Sequence, residues 1–177
     1  MKTTAILIAG FGGQGTLFAG KVLASASLFK GLEVSWLPSY GPEMRGGTAN
    51  CSVMISDSPI GSPIVSHPDI LIALNKPSFE KYEKVTNPGG KVFVDASLVD
   101  SKSSREDIDV YYVPASQLAR EAGGANLSNI VLIGKALKET GLFTEGEIAD
   151  CLDKIIPERK AALRDLNKKA LKAGLDF

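Results

Sequence analysis

Thr4 to Gly10 is an unbroken apolar run of strand length, the pattern of a strand covered on both faces. GFGGQG follows, and Thr16–Lys30 then reads as a helix, with Leu17, Gly20, Val22, Leu23 and small alanines suited to close packing. Gly31 is its expected C-cap. Glu33–Leu37 is a second strand, and a right-handed crossover makes it parallel to the first. Pro38–Thr48 is a polar, glycine-rich loop, and Ala49–Ser56 alternates well enough for a third strand. Ser58–His67 carries Pro59, Gly61 and Pro63 and reads as turns, with room for one short strand at Ile64–Val65. Buried strands follow at Asp69–Leu74, Lys91–Asp95 and Val110–Val113, with a short helix at Pro77–Lys84 and a charged surface loop at Asp100–Asp107.

Beyond Pro114 the period is helical. Ala115–Ala122 ends at Gly123-Gly124, and Asn129–Thr140 ends at Gly141. Thr144 with Glu147 three residues on is a capping box that opens a helix running through Leu152. Pro157–Lys172 places Leu163, Leu166 and Ala170 on one face, with Lys160, Arg164 and Lys168 opposite as a solvated face or an acidic partner's landing site. Strands alternating with helices predict an α/β fold: a three-layer α/β/α domain around a mostly parallel sheet. The non-helical stretch between residues 38 and 67 allows that sheet to be mixed. At 177 residues, one domain spanning 1–177 is expected.

Composition removes several function classes. Lys and Arg number 20, as do Asp and Glu, so the basic surplus of a nucleic-acid binder is missing. Cys51 and Cys151 are the only cysteines and His67 the only histidine. One chain therefore cannot supply four thiolates to an iron–sulfur cluster or several imidazoles to a metal, and no metal site is expected. The cysteines read as buried free thiols of a reducing compartment, and His67, in a turn, as structural or solvated. No apolar run approaches a membrane span. Lys2 and Ala24-Ser-Ala26 mimic the ends of a signal peptide, but GFGGQG breaks the apolar stretch too early; a cytoplasmic protein is expected.

Two glycine segments hold the candidate chemistry. Gly10, Gly12 and Gly15 satisfy GxGxxG between a strand and a helix, a Rossmann-like start that offers backbone N–H groups to phosphate. A nicotinamide or flavin dinucleotide site also expects an acid at the end of the second strand, where this chain has Trp36-Leu37-Pro38-Ser39. A dinucleotide, another phosphate-bearing ligand and a purely structural turn all remain open. In the second segment, Tyr40, Glu43 and Arg45 lie among Gly41, Pro42, Gly46 and Gly47. Arg45 can grip phosphate or carboxylate in a two-pronged fork, brace the loop, or bridge to another subunit. The parallel first two strands put both segments at one edge of the sheet, where open α/β folds bind ligands. No spacing marks a nucleophile–base pair, and Asp95, Glu43 and Asp69 are not singled out.

GFGGQGTLFAGKVLA together with PSYGPEMRGGTANCSVMIS resembles the gamma subunit of 2-oxoacid:ferredoxin oxidoreductases. DILIALNKPSFEKY and NIVLIGKALKETGLF extend the resemblance over nearly the whole chain. That family includes the pyruvate, 2-oxoglutarate and branched-chain 2-oxoisovalerate enzymes, and the wording SYGPEMRGG leans toward the latter two. The resemblance implies a complex that oxidatively decarboxylates a 2-oxoacid with coenzyme A as co-substrate, giving acyl-CoA, carbon dioxide and reduced ferredoxin. It implies alpha and beta subunits binding thiamine diphosphate with Mg, and iron–sulfur clusters in the beta subunit and a ferredoxin-like delta subunit. This chain would carry no catalytic residue and none of those groups, consistent with its lack of cysteine clusters and of a GDG-type Mg-diphosphate motif. Gly12, Gly13, Gln14 and Gly15 would then meet a coenzyme A phosphate or shape the face against the thiamine-bearing partner, with Arg45 supplying charge and Tyr40, Gly46 and Gly47 positioning it. Neither nucleic acid nor membrane enters this picture, and the isolated chain could dimerise through the surface meant for its partners.

Overall fold

The computed structural model describes residues 3–41 and 47–177. In chain order the elements are β1 (Thr4–Phe11), α1 (Thr16–Phe29), β2 (Glu33–Tyr40), β3 (Thr48–Ser56), β4 (Ile70–Ala73), α2 (Lys76–Tyr82), β5 (Lys91–Asp95), β6 (Asp109–Val113), α3 (Ala115–Glu121), α4 (Ser128–Thr140), α5 (Glu145–Ile155) and α6 (Ala161–Asp176). The strands form one mixed sheet in the order β2-β3-β1-β4-β5-β6. β1, β4, β5 and β6 run parallel, while β3 is antiparallel to both of its neighbours, with Ile8 opposite Cys51 and Trp36 opposite Val53.

β1 and β2 therefore point the same way, as a crossover through α1 requires, but β3 is laid between them. β2 also continues past Leu37, through Pro38, to Tyr40. A proline survives there because β2 is an edge strand, so its missing N–H deprives no neighbour. The expected short strand at Ile64–Val65 does not form: residues 57–69 contain no strand, because β1 is already paired on both sides. Val65 instead plugs an apolar cluster with Leu7, Leu71 and Phe79.

That cluster, roofed by α2, covers one face of the sheet. The other face carries the larger core, in which α1, α3, α4, α5 and α6 pack on Ile6, Ile8, Cys51, Val53, Ile72 and Phe93. Close approach there depends on two small-residue contacts. A β-carbon on Gly20 would collide with Cys51, and one on Gly134 or Gly174 would run into the facing helix's backbone where α4 crosses α6.

α6 departs from its expected facing. Asn167, Ala170, Leu171 and Gly174 are buried, whereas Leu163 is 44% exposed. A 3₁₀ turn at Glu158–Lys160 precedes the helix, and its smallest side chains lie against α4, which sets the rotation. The basic row is not simply solvated either: Arg164 Nε donates to the Ile156 carbonyl at 2.8 Å, and Lys168 pairs with Asp153 at 2.7 Å, so both fasten α6 to α5. The Thr144–Glu147 capping box forms as read from the sequence, and α5 runs on to Ile155. Among the described residues no helix is long and apolar enough to cross a membrane.

Candidate functional site

β1, β4 and β6 run parallel, so the loops that follow them open at one edge of the sheet. After β1 the chain turns through Gly12-Gly13-Gln14-Gly15 into α1. Gly13 and Gly15 adopt φ of 101° and 74°, left-handed conformations that side chains disfavour. The Gly12 N–H donates to the Gly47 carbonyl at 2.8 Å, so the two glycine segments meet. Between them lies a cavity of about 300 Å³, walled by Phe11, Phe18, Tyr40 and Ala49 and floored by Gly13 and Thr16. Among the described residues no carboxylate lines it.

Gln14 takes no part in that lining. Its Oε1 accepts from the Phe11 N–H at 2.7 Å and from Asn75 Nδ2 at 3.2 Å, while its Nε2 donates to the Leu74 carbonyl at 2.9 Å. The side chain is thus a staple between the glycine loop and the end of β4. On the opposite flank, Asn129 at the start of α4 donates through Nδ2 to the Gly15 carbonyl at 2.9 Å. Neither the Gly13 nor the Gly15 N–H has a partner among the described residues, and Gly15 gives α1 no side-chain cap. The Thr16 hydroxyl, on a residue only 2% exposed, is also unpartnered. Unmet donors at a helix start carry the positive end of its dipole, which favours an anion.

Of the residues singled out in the sequence, Gly12, Gly13, Gly15 and Tyr40 line the cavity and Gly47 reaches it through Gly12. Arg45 and Gly46, with Glu43, lie outside the described residues. Thr16, Asn75 and Asn129 were not singled out. Asn75, just before Lys-Pro, carries an N-cap signal, and its side chain does accept the Ser78 N–H at 2.9 Å. Asn129 sits 114 residues from its partner and has no local signature.

The other candidate groups are structural. Asp95 is fully buried and accepts from the N–H groups of Ser97 and Ser116 and from the Ser116 hydroxyl. Asp69 holds the Ala5 N–H and the Asn87 side chain. Burial pushes the Cys51 thiol up to about 12 and the Cys151 thiol to about 11, so both stay protonated and unreactive at neutral pH. His67 is exposed at the opposite end of β4. No cluster of three His, Cys, Asp or Glu side chains exists among the described residues. The arrangement also differs from a dinucleotide fold, because the strand beside β1 is antiparallel β3, and β2 ends without an acid.

Fold and site together define an α/β domain whose first glycine loop opens on a cavity with no carboxylate, thiol or imidazole among its described lining residues. Residues 5–177 match the pyruvate ferredoxin/flavodoxin oxidoreductase family, and the chain belongs to that family. It is 40% identical over 174 residues to the ketoisovalerate oxidoreductase subunit VorA of Methanothermobacter marburgensis, covering 97% of this chain but 36% of that one. The chain thus spans about a third of the length of these relatives. It is 35% identical over 179 residues to the 2-oxoglutarate synthase subunit KorC of the same organism, covering 97% of this chain and 95% of that one. The crystal structure of a keto/oxoacid ferredoxin oxidoreductase gamma subunit from Geobacter sulfurreducens superposes with a TM-score of 0.82 at 30% identity, covering 98% and 96% of the two chains.

Proposed function

We propose that this chain, as a single domain of residues 1–177, is the gamma subunit of a cytoplasmic 2-oxoacid:ferredoxin oxidoreductase. The complex would convert a 2-oxoacid anion and coenzyme A into acyl-CoA, carbon dioxide, one proton and two electrons, the electrons passing singly to ferredoxin. Thiamine diphosphate with Mg, on alpha and beta subunits, supplies the decarboxylation chemistry, and iron–sulfur clusters on beta and a ferredoxin-like delta subunit carry the electrons. This chain's own part is assembly and the placement of coenzyme A.

The observation that carries this reading is the start of α1, uncapped by a side chain, beside a cavity that no carboxylate lines among the described residues. The Gly13 and Gly15 N–H groups are donors suited to a coenzyme A phosphate, and the apolar walls suit the less polar parts of that molecule. Arg45 adds charge from the second segment, which Gly46, Gly47 and Tyr40 position. Holding the thiol arm within reach of the partner-bound acyl group is catalysis by proximity. The names of the relatives favour a branched-chain 2-oxoacid or 2-oxoglutarate as substrate.

A second reading, a scaffold that touches no ligand, draws on the exposed Phe11 and Tyr40 of the cavity wall and on the exposed Trp36 and Leu37 farther along the edge strand β2, which a partner would cover. Two experiments test these readings. Anaerobic pull-down of the tagged chain from its own cells should recover thiamine-binding and ferredoxin-like partners, with coenzyme A-dependent viologen reduction on one 2-oxoacid. Recovery of the chain alone, inactive and holding a nucleotide, would refute the subunit assignment. In the assembled enzyme, Arg45→Ala should raise the KM for coenzyme A; an unchanged value with full assembly would remove Arg45 from that role.

A further inference from the structure

The glycine loop is soft by composition, since Gly12, Gly13 and Gly15 each permit peptide orientations that other residues forbid. Its N–H groups serve a ligand only if something outside the loop fixes where they point. Two of the three restraints act on its first half. Gly12 is tied to Gly47, and Gln14 is stapled to Phe11, Leu74 and Asn75. The second half, where α1 begins, has one external hold among the described residues, the Asn129 amide on the Gly15 carbonyl.

That carbonyl shares a rigid peptide plane with the N–H of Thr16, so fixing one fixes the direction of the other. It also accepts the Ala19 N–H at 2.9 Å, but a first helical turn frays, and among the described residues only Asn129 restrains it from a different element. The fit is tight: a β-carbon on Gly15 would strike the Asn129 amide, so glycine is required there by space as well as by φ. Asn129 is itself 1% exposed, and its Oδ1 has no partner. A buried amide kept with half its bonding unmet costs stability, and its one bond goes to the loop.

We infer that Asn129 is a positioning residue of the glycine-loop site. It anchors the Gly15–Thr16 peptide to α4 so that the donors at the start of α1 stand ready for a phosphate. This rests on the coenzyme A reading above.

The test uses the reconstituted complex and steady-state kinetics. Asn129→Ala should raise the KM for coenzyme A about threefold to tenfold, the range for one lost hydrogen bond, while kcat and the KM for the 2-oxoacid stay within about twofold. Asn129→Ser, which keeps a hydroxyl donor, should recover part of that loss. Asn167→Ala is the comparison: it is equally buried on α6 but bonded to the Leu163 carbonyl of its own helix. That change should lower the melting temperature without moving the KM for coenzyme A. If Asn129→Ala does not assemble, Asn129→Ser is read by the same criterion against the wild type.

Gly13→Ala separates the two levels of the claim. Among the described residues an added β-carbon there meets no atom within 4 Å, so the change bears on the left-handed backbone at φ 101°. A raised KM in Gly13→Ala with an unchanged KM in Asn129→Ala overturns the positioning role alone. An unchanged KM in both overturns coenzyme A binding at this loop and the positioning role with it. A fall in kcat equal to the rise in KM for both substrates would mark Asn129 as merely structural and also overturns the inference.

Discussion

Three helices start where parallel strands end at one edge of the sheet, and they are finished differently. α2 is capped by Asn75, whose side chain accepts the Ser78 N–H. α3, which follows β6, has its Ser116 N–H taken by Asp95 at the end of the neighbouring β5. α1, which follows β1, has glycine at its cap and, among the described residues, no side chain accepting its donors. A protein that caps two neighbours and leaves the third open pays for the omission in stability, since a cap contributes about 1 kcal/mol. The open start is also the one over the cavity, and the same edge thus shows what a finished helix start looks like and what one kept for a ligand looks like.

Closing the open start by force should have the largest effect. Gly15→Ala puts an L side chain at φ 74° and into Asn129, and should destabilise the fold by about 4 kcal/mol in urea unfolding. Opening one of the closed starts comes next. Asp95→Ala strands the N–H groups of Ser97 and Ser116 and should cost about 3 kcal/mol while leaving the KM for coenzyme A unchanged. Asn75→Ala is expected to cost about 1–2 kcal/mol and, because Asn75 also touches Gln14, to raise the KM for coenzyme A slightly.

The smallest change is at a capped helix far from the cavity. Thr144→Ala should cost about 1 kcal/mol at pH 7 and leave catalysis alone. Its pH dependence has a definite sign. The Thr144 N–H, followed by the Lys30 ammonium, lowers the Glu147 carboxyl below its usual value. A lowered acid stabilises the fold above its unfolded value near about 4.3 and loses that contribution as pH falls through the folded one. Melts between pH 7 and pH 3 should therefore show the wild type losing more stability than Glu147→Gln, which has no carboxyl to protonate in that range.

What could be read in the sequence follows from how local each feature is. The apolar run of β1, the GFGGQG loop, the Thr144 capping box and the alternation of strands with helices are written in neighbouring residues, and all appear in the fold. The insertion of β3 between β1 and β2 was not legible, because strand periodicity says which face is buried and nothing about which strand lies alongside. On α6 Ala170 is buried as expected and Leu166 half-buried, but Leu163 in the first turn stays exposed, because the contact with α4 centres on Gly174, whose lack of a side chain lets that helix approach. Within the site, the glycine loop was visible as a motif. Its holders were not: Asn75 and Asn129 meet it from 61 and 114 residues away, and Gln14 turned out to face inward rather than toward the cavity.

The contrast between open and closed helix starts can be measured in one experiment, hydrogen–deuterium exchange of the assembled enzyme with and without coenzyme A. Peptides covering residues 12–18 should exchange more slowly when coenzyme A is bound, while those covering the starts of α2 and α3 keep their rates. Unchanged exchange at 12–18 under saturating coenzyme A, or protection confined to the starts of α2 and α3, would contradict the claim that the open start of α1 is kept for this ligand.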